Sequence, residues 1–173
     1  MEEFWDILDH NRRFTGRTHK RGDPLPDGVF HLVVRAWIVN SSGEFIIMRR
    51  DLRKIDFPGM WEVPSGSAIA GEESLDATIR ETKEEAGVLL LPENAELFST
   101  YHRRNAFYDN WLFRQDFSMA DVILQEGETI DARAATWNTI SLMMERGEFI
   151  GRDVFSEFDL LSDTEFLSNR GAK

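Results

Sequence analysis

Three glutamates, Glu81, Glu84 and Glu85, fall at i, i+3 and i+4 beside Arg80 in the run RETKEEAG. On a helix they share one face. Like charges at that spacing repel, so a bare helix gains nothing from them. A divalent cation turns the repulsion into a binding site, because hard oxygen ligands are what Mg²⁺ prefers. Glycines bracket the segment, Gly66 and Gly71 before it and Gly87 after it. The pattern reads as a metal–phosphate site. For the three glutamates alone, a solvated acidic helix face is the competing reading, and the flanking residues tip the balance.

A helix must carry these carboxylates, and a second stripe supports one. Leu75, Ile79, Thr82 and Ala86 recur near the 3.6-residue period, rotated away from the acidic face, so they can enter a core. Gly87 fits the C′ position, where a left-handed residue ends a helix. Arg80, four residues before Glu84, can hold that carboxylate while Glu81 and Glu85 meet metal. Ahead of the helix, residues 30–40 (FHLVVRAWIVN) and 44–50 (EFIIMRR) read as two strands joined by the turn 41–43, a hairpin. Residues 57–65 read as loop and short strand, and 95–102 with 110–117 as a second hairpin. Residues 134–137 form a short strand before a helix at 140–146. At the front, 3–8 reads as a short amphipathic helix and 12–27 as a basic lead-in. The aromatic-rich 155–161 has no assignment.

The stretch 66–88 resembles the Nudix box: G, five residues, E, seven residues, then REUxEExGU with U aliphatic. Gly66, Glu72, Arg80, Glu81, Glu84, Glu85, Gly87 and Val88 match in register. Seven of these are fixed residue types at about 7% each in average composition, so agreement by chance at one start is roughly 10⁻⁸. The departure is Thr82 at the first U, where a β-branched residue can still turn its methyl to a core. The resemblance implies an α/β fold, the α/β/α sandwich with a mixed sheet and the box as loop–helix–loop. It implies one Nudix domain over residues 1–173, with a core at about 28–150. It also implies diphosphate hydrolysis with Mg²⁺, or Mn²⁺ in its place, on Glu81, Glu84, Glu85 and a carbonyl near Gly66. Glu84 or Glu85 then orients or deprotonates water, Arg80 holds the carboxylates, and Glu72 supports the loop–helix joint.

Composition agrees with an enzyme domain. A chain of 173 residues with 42% hydrophobic and 12% aromatic residues can bury a sizeable core. The net charge of −11 disfavours nucleic acid or an anionic membrane as partner. An acidic protein acting on phosphates must concentrate positive charge locally or recruit metal. The lack of cysteine fits a reducing interior, no apolar run reaches the ~18–20 residues of a span, and the acidic start is unlike a signal peptide. The expectation is a cytoplasmic protein with a small-molecule diphosphate partner, for which a homodimer is one open assembly.

Outside the box, residues from about 24 to 150 resemble the isopentenyl diphosphate isomerase branch of the superfamily, through His31, Trp37, the NSSGEF turn, Arg49, Arg50, Lys54 and PGMWE. Arg50 and Lys54 match positions that grip the diphosphate there; the alternative for both is a solvated surface cation. The isomerase pattern places a cysteine just before the opening glycine and a histidine just after it, where this chain has Ser65 and Ser67. A serine hydroxyl is a far weaker acid than a thiol and cannot readily replace it in proton transfer. The intact REUxEE points the same way, to hydrolysis.

Other residues carry two readings each. His31 matches an isomerase metal ligand, against a strand histidine satisfied by backbone. Asp109 is a further carboxylate near the metals or an ordinary loop aspartate. Trp61 covers an organic group or packs in the core, and His102, Arg103 and Arg104 meet phosphate or form a surface cluster. Trp5, Trp37, Trp111 and Trp137 read as packing residues. The function that follows is a Mg²⁺-dependent hydrolase of a nucleoside diphosphate linked to X, or a related organic diphosphate. A diphosphate isomerase and a nucleotide-binding module without turnover are the alternatives.

Overall fold

The computed structural model describes residues 2–151. The segment 155–161 lies outside them. Residue alternation along two central strands builds the core. In β3 (His31–Val39) and β4 (Glu44–Arg50), Ala36, Ile38, Ile46 and Met48 face one way, while Trp37, Val39, Phe45 and Ile47 face the other. Both faces are apolar, so the sheet must be covered on both sides. Helix α1 (Ser74–Ala86) covers the first face with Leu75, Ile79 and Ala86. Helix α2 (Trp137–Glu145) covers the second with Ile140, Met143 and Met144. The result is the expected α/β/α sandwich.

The sheet is mixed and seven-stranded. Its central path is β5 (Trp61–Glu62), β4, β3, β8 (Ala106–Arg114) and β7 (Ala95–Arg103); β6 (Ser65–Ser67) pairs with β3, and β9 (Thr129–Thr136) with β4. Strands β3 and β8 run parallel from His31↔Ala106 to Val39↔Arg114. The hairpin read at 30–50 is present, but β3 and β4 meet in register only at Val39↔Phe45. Beyond that point the strands part, because β6 claims Val33, Val34 and Arg35 while β5 claims Met48 and Arg49. That split in the sheet is where the functional cleft opens.

Several expectations need correction: the second strand of the later hairpin is β8 at Ala106–Arg114 rather than 110–117, and the short strand read at 134–137 is the longer β9, Thr129–Thr136. Residues 3–8 are not helical: β1 (Phe4–Leu8) pairs with β2 (Phe14–Lys20), which occupies the basic lead-in. Ion pairs Glu2–Lys20 and Glu3–Arg21 tie the two together, so the acidic and basic stretches are partners across a ladder. Helix α2 begins at Trp137 rather than 140, because the Thr136 hydroxyl caps it by accepting from the Thr139 N–H. Among the described residues no helix is long and apolar enough to cross a membrane.

Candidate active site

The site is assembled where β6 approaches α1. Strand β6 is held against β3 through Val33↔Ser67, Val34↔Gly66 and Arg35↔Ser65. A Cβ added to Gly66 would lie 2.0–2.4 Å from the Cδ and both carboxylate oxygens of Glu81. Close approach, rather than an unusual dihedral, is therefore what requires glycine here. At the far end of α1, Gly87 adopts φ 71° and its N–H bonds the Lys83 carbonyl, the left-handed cap read from the sequence.

Arg80 organises the neighbouring carboxylates. Its Nε and Nη2 donate to the two oxygens of Glu72, both at 2.8 Å, a forked pair. Nη2 also reaches the Ser67 carbonyl at 3.2 Å. Nη1 reaches Glu81 at 3.0 Å and Glu84 at 3.1 Å. Hydrogen bonding to Glu72 first, and then the charges of Glu81 and Glu72, hold the guanidinium firmly protonated. Glu72 also accepts from the Ile69 N–H at 3.1 Å, so it stands at the loop–helix joint.

Glu85 sits in the most demanding environment. Burial first, and then the nearby negative charges of Glu62, Glu81 and Glu128, push its carboxyl up to about 8, against a lowering hydrogen bond from the Ser65 N–H at 3.0 Å. Burial likewise raises Glu81, opposed by Arg80. Glu62 was missed in the sequence. It is buried on β5 and takes hydrogen bonds from Arg50 Nη1 at 2.5 Å and from the Ser65 hydroxyl at 3.0 Å. Glu128, also missed, lines the same cleft just before β9. A carboxylate at the end of a two-residue strand carries no periodic signal; its position four residues before Gly66 was the available clue.

These groups line one open cleft of about 590 Å³. Glu81, Glu84, Glu85, Arg80 and Gly66 stand on it, as do Arg50 and Lys54. The two cations enter it already paired, Arg50 with Glu62 and Lys54 with Glu128. Arg104 reaches the cleft from the β7–β8 turn, whereas His102 packs edge-on to Phe30. His31 is neither backbone-satisfied nor a cleft residue. Its ring stacks on Trp5 at 4.0 Å, its Nδ1 is buried without a partner, and burial first and Arg21 second lower it to about 4. Asp109 fits neither of its readings. It is fully buried on β8, taking hydrogen bonds from Arg12, Thr100 and Ser74. Trp61 packs against the core with Arg133 over its ring at 4.4 Å.

The model of the NUDIX domain matches residues 29–158 of the chain. The chain belongs to the Nudix family. An uncharacterized Nudix hydrolase of Listeria monocytogenes is 38% identical over 151 residues, covering 87% of this chain and 89% of that one. An isopentenyl-diphosphate Delta-isomerase of Shigella flexneri is 35% identical over 79 residues, covering 45% of this chain and 43% of its own. Among solved structures, a Deinococcus radiodurans protein superimposes with a TM-score of 0.70 at 22% identity, covering 84% of this chain and 91% of that one. This Nudix protein is a pyrophosphohydrolase, and such hydrolases generally cleave diphosphate linkages with divalent metals.

The side chains of the Nudix site suit a hard divalent cation. Every candidate donor on α1 is a carboxylate oxygen, and mutual repulsion around Glu85 is what a cation would relieve. Among the described residues no three carboxylates already converge into a cage. Arg80 holds Glu81 and Glu84, and the Ser65 N–H holds Glu85, in separate contacts.

Proposed function

We propose that the protein is a Mg²⁺-dependent hydrolase of an organic diphosphate, of the kind in which a nucleoside diphosphate is linked to a moiety X. The observation that carries this reading is the placing of Glu81, Glu84 and Glu85 with Arg80 and Gly66 on the wall of one cleft, where Glu85 is held by the Ser65 N–H and crowded by neighbouring carboxylates. Clusters of carboxylates that cannot all ionise mark sites meant for a cation or for proton transfer.

Glu81, Glu84 and Glu85 would hold the ion, with a backbone carbonyl near Gly66. When bound, Mg²⁺ supplies Lewis acidity toward the phosphoryl oxygens and acidifies a bound water. Glu85 gives up its proton as the site loads. Glu84 or Glu85 orients or deprotonates the attacking water. Arg80 keeps Glu81 and Glu84 on the cleft side of α1, and Glu72 keeps Arg80 in place. Arg50 and Lys54 contact phosphate by exchanging a carboxylate partner for a phosphoryl oxygen. The expected setting is cytoplasmic, with a small-molecule partner and no nucleic acid or membrane.

Ser65 bears on the isomerase alternative. Its hydroxyl donates to Glu62, so it is a hydrogen-bonded alcohol beside a carboxylate, poorly suited to protonate a carbon–carbon double bond. The deciding experiment offers nucleoside diphosphate sugars, dinucleotides, nucleoside triphosphates and prenyl diphosphates with Mg²⁺ and follows phosphate-containing products. Cleavage abolished by chelator and by Glu85→Gln supports the reading; isomerised prenyl diphosphate without cleavage overturns it.

A further inference from the structure

The cations on the cleft wall differ in one respect. Arg21, Arg50, Lys54 and Arg80 each have a carboxylate within salt-bridge reach. Among the described residues Arg35 has none, although it is only 8% exposed and lines the same cleft. Its hydrogen bond goes instead to a neutral group, from Nη1 to the Tyr101 hydroxyl at 2.7 Å. Its guanidinium lies over the Tyr108 ring, 4.8 Å from the centroid. Tyr108 in turn stacks on Tyr101 at 5.0 Å with the planes 9° apart. Arg104, at the exposed hairpin tip, also has no carboxylate partner among the described residues, but water can solvate it.

A buried guanidinium without a counter-anion is costly, and this one is held in place. The Tyr108 ring lies beneath it and the Tyr101 hydroxyl fixes one nitrogen. The remaining in-plane N–H groups are a fork that matches phosphoryl oxygens. Arg35 also stands next to the acidic wall: it pairs in register with Ser65, whose N–H holds Glu85, and it neighbours the Val34↔Gly66 pair. The cleft thus has an acidic lobe on α1 and β5 and a basic, aromatic lobe made by Arg35 of β3, Tyr108 of β8 and Arg104 of the β7–β8 turn.

We propose that Arg35 is the anion receptor of this cleft, binding the phosphoryl group on the X side of the diphosphate while the acidic lobe and its cation hold the other. The proposal rests on the diphosphate reading above and deepens it. Arg35 is a binding and specificity residue: it selects a ligand with a second anionic phosphoryl group beyond the one at the metal. Tyr101 and Tyr108 are its positioning residues.

The test is calorimetric titration of inorganic pyrophosphate in the presence of chelator, so that no metal contributes. Wild-type protein binds it. Arg35→Gln weakens binding roughly ten- to a hundred-fold, the size of one charge-assisted contact. Arg35→Lys recovers part of the loss, since a point charge replaces a fork. Tyr101→Phe, which removes only the orienting hydroxyl, weakens binding about two- to ten-fold. Absence of binding by wild type, or unchanged affinity in a cooperatively folded Arg35→Gln, overturns the proposal. If Arg35→Gln does not fold, unchanged affinity in Tyr101→Phe overturns it instead. Turnover is read separately: a protein that hydrolyses no diphosphate yet loses pyrophosphate through Arg35→Gln sinks the hydrolase reading and leaves the receptor standing.

Discussion

The Glu81 carboxylate occupies the space where a side chain on Gly66 would stand, with 2.0 Å between its Cδ and the Cβ position. Strand β6 and helix α1 are thereby locked at one separation, and the acidic face of α1 is brought onto the backbone at the start of the box. Gly66→Ala should force Glu81 to retreat. Overpacking of this kind costs about 1–3 kcal/mol, or roughly 2–12 °C in Tm for a chain of this size. Turnover should fall at least a hundred-fold. Adding Glu81→Ala should restore much of the Tm but none of the turnover, which thermal unfolding and a product assay on the two variants would show.

Glu85 makes its own contribution to the pH dependence of the metal-free protein, opposite in sign to that of the buried His31. Its carboxyl is raised from 4.5 to about 8. Across that window the folded protein holds a proton that the unfolded chain has released. The folded state binds more protons, so stability contributed by this group is present below about 4.5 and is lost as pH rises through about 8. Glu85→Gln should remove that slope. Mg²⁺ must displace the proton, so the rise in Tm on adding Mg²⁺ should grow from pH 5 to pH 8, with proton release visible in buffers of different ionisation enthalpy. An equal Mg²⁺ effect at both pH values would count against this role.

Arg80 and Glu72 meet through a two-pronged contact that lysine cannot copy. Arg80→Lys should lower kcat/KM by about a hundred-fold, chiefly through kcat, because the carboxylates lose their placement while the phosphate-binding wall stays intact. A change confined to KM would instead put Arg80 in direct contact with substrate.

The reach of the sequence differed between these parts. The box, its helix, the left-handed Gly87 and the apolar stripe of α1 are local features, each set by spacing along one element, and all were legible. The N-terminal hairpin was not. Phe4, Trp5, Ile7 and Leu8 suit a short helix or a strand equally, and only pairing with 14–20 decides. The partners of Arg50 and Lys54 were hidden for a similar reason: Glu62 meets Arg50 only through the pairing of β5 with β4, and Glu128 meets Lys54 only where the chain ahead of β9 reaches the end of β4. Asp109 likewise reveals nothing in YDNW of the Arg12 that reaches it from the lead-in.

That Arg12–Asp109 pair gives a stability prediction away from the site. Asp109 is fully buried, and Arg12 is its one cationic partner among the described residues. Arg12→Ala leaves Thr100 and Ser74 as neutral donors only. The loss should be about 3 kcal/mol, toward the low end for breaking a buried pair because Arg12 itself is partly exposed. That corresponds to roughly 6–12 °C in Tm, readable by thermal unfolding, with turnover at permissive temperature near wild type. A drop of a degree or less would mean that the hydroxyls suffice.

The most direct test of the central claim is phosphorus NMR of the Mg²⁺ reaction run in ¹⁸O-labelled water, with a panel of organic diphosphates and with Glu85→Gln alongside. The account predicts that one diphosphate is split into two phosphate-bearing products, one of them carrying a single label. It predicts that Glu85→Gln slows this by orders of magnitude and that chelator abolishes it. Full turnover by Glu85→Gln, or label entering no product, would contradict it.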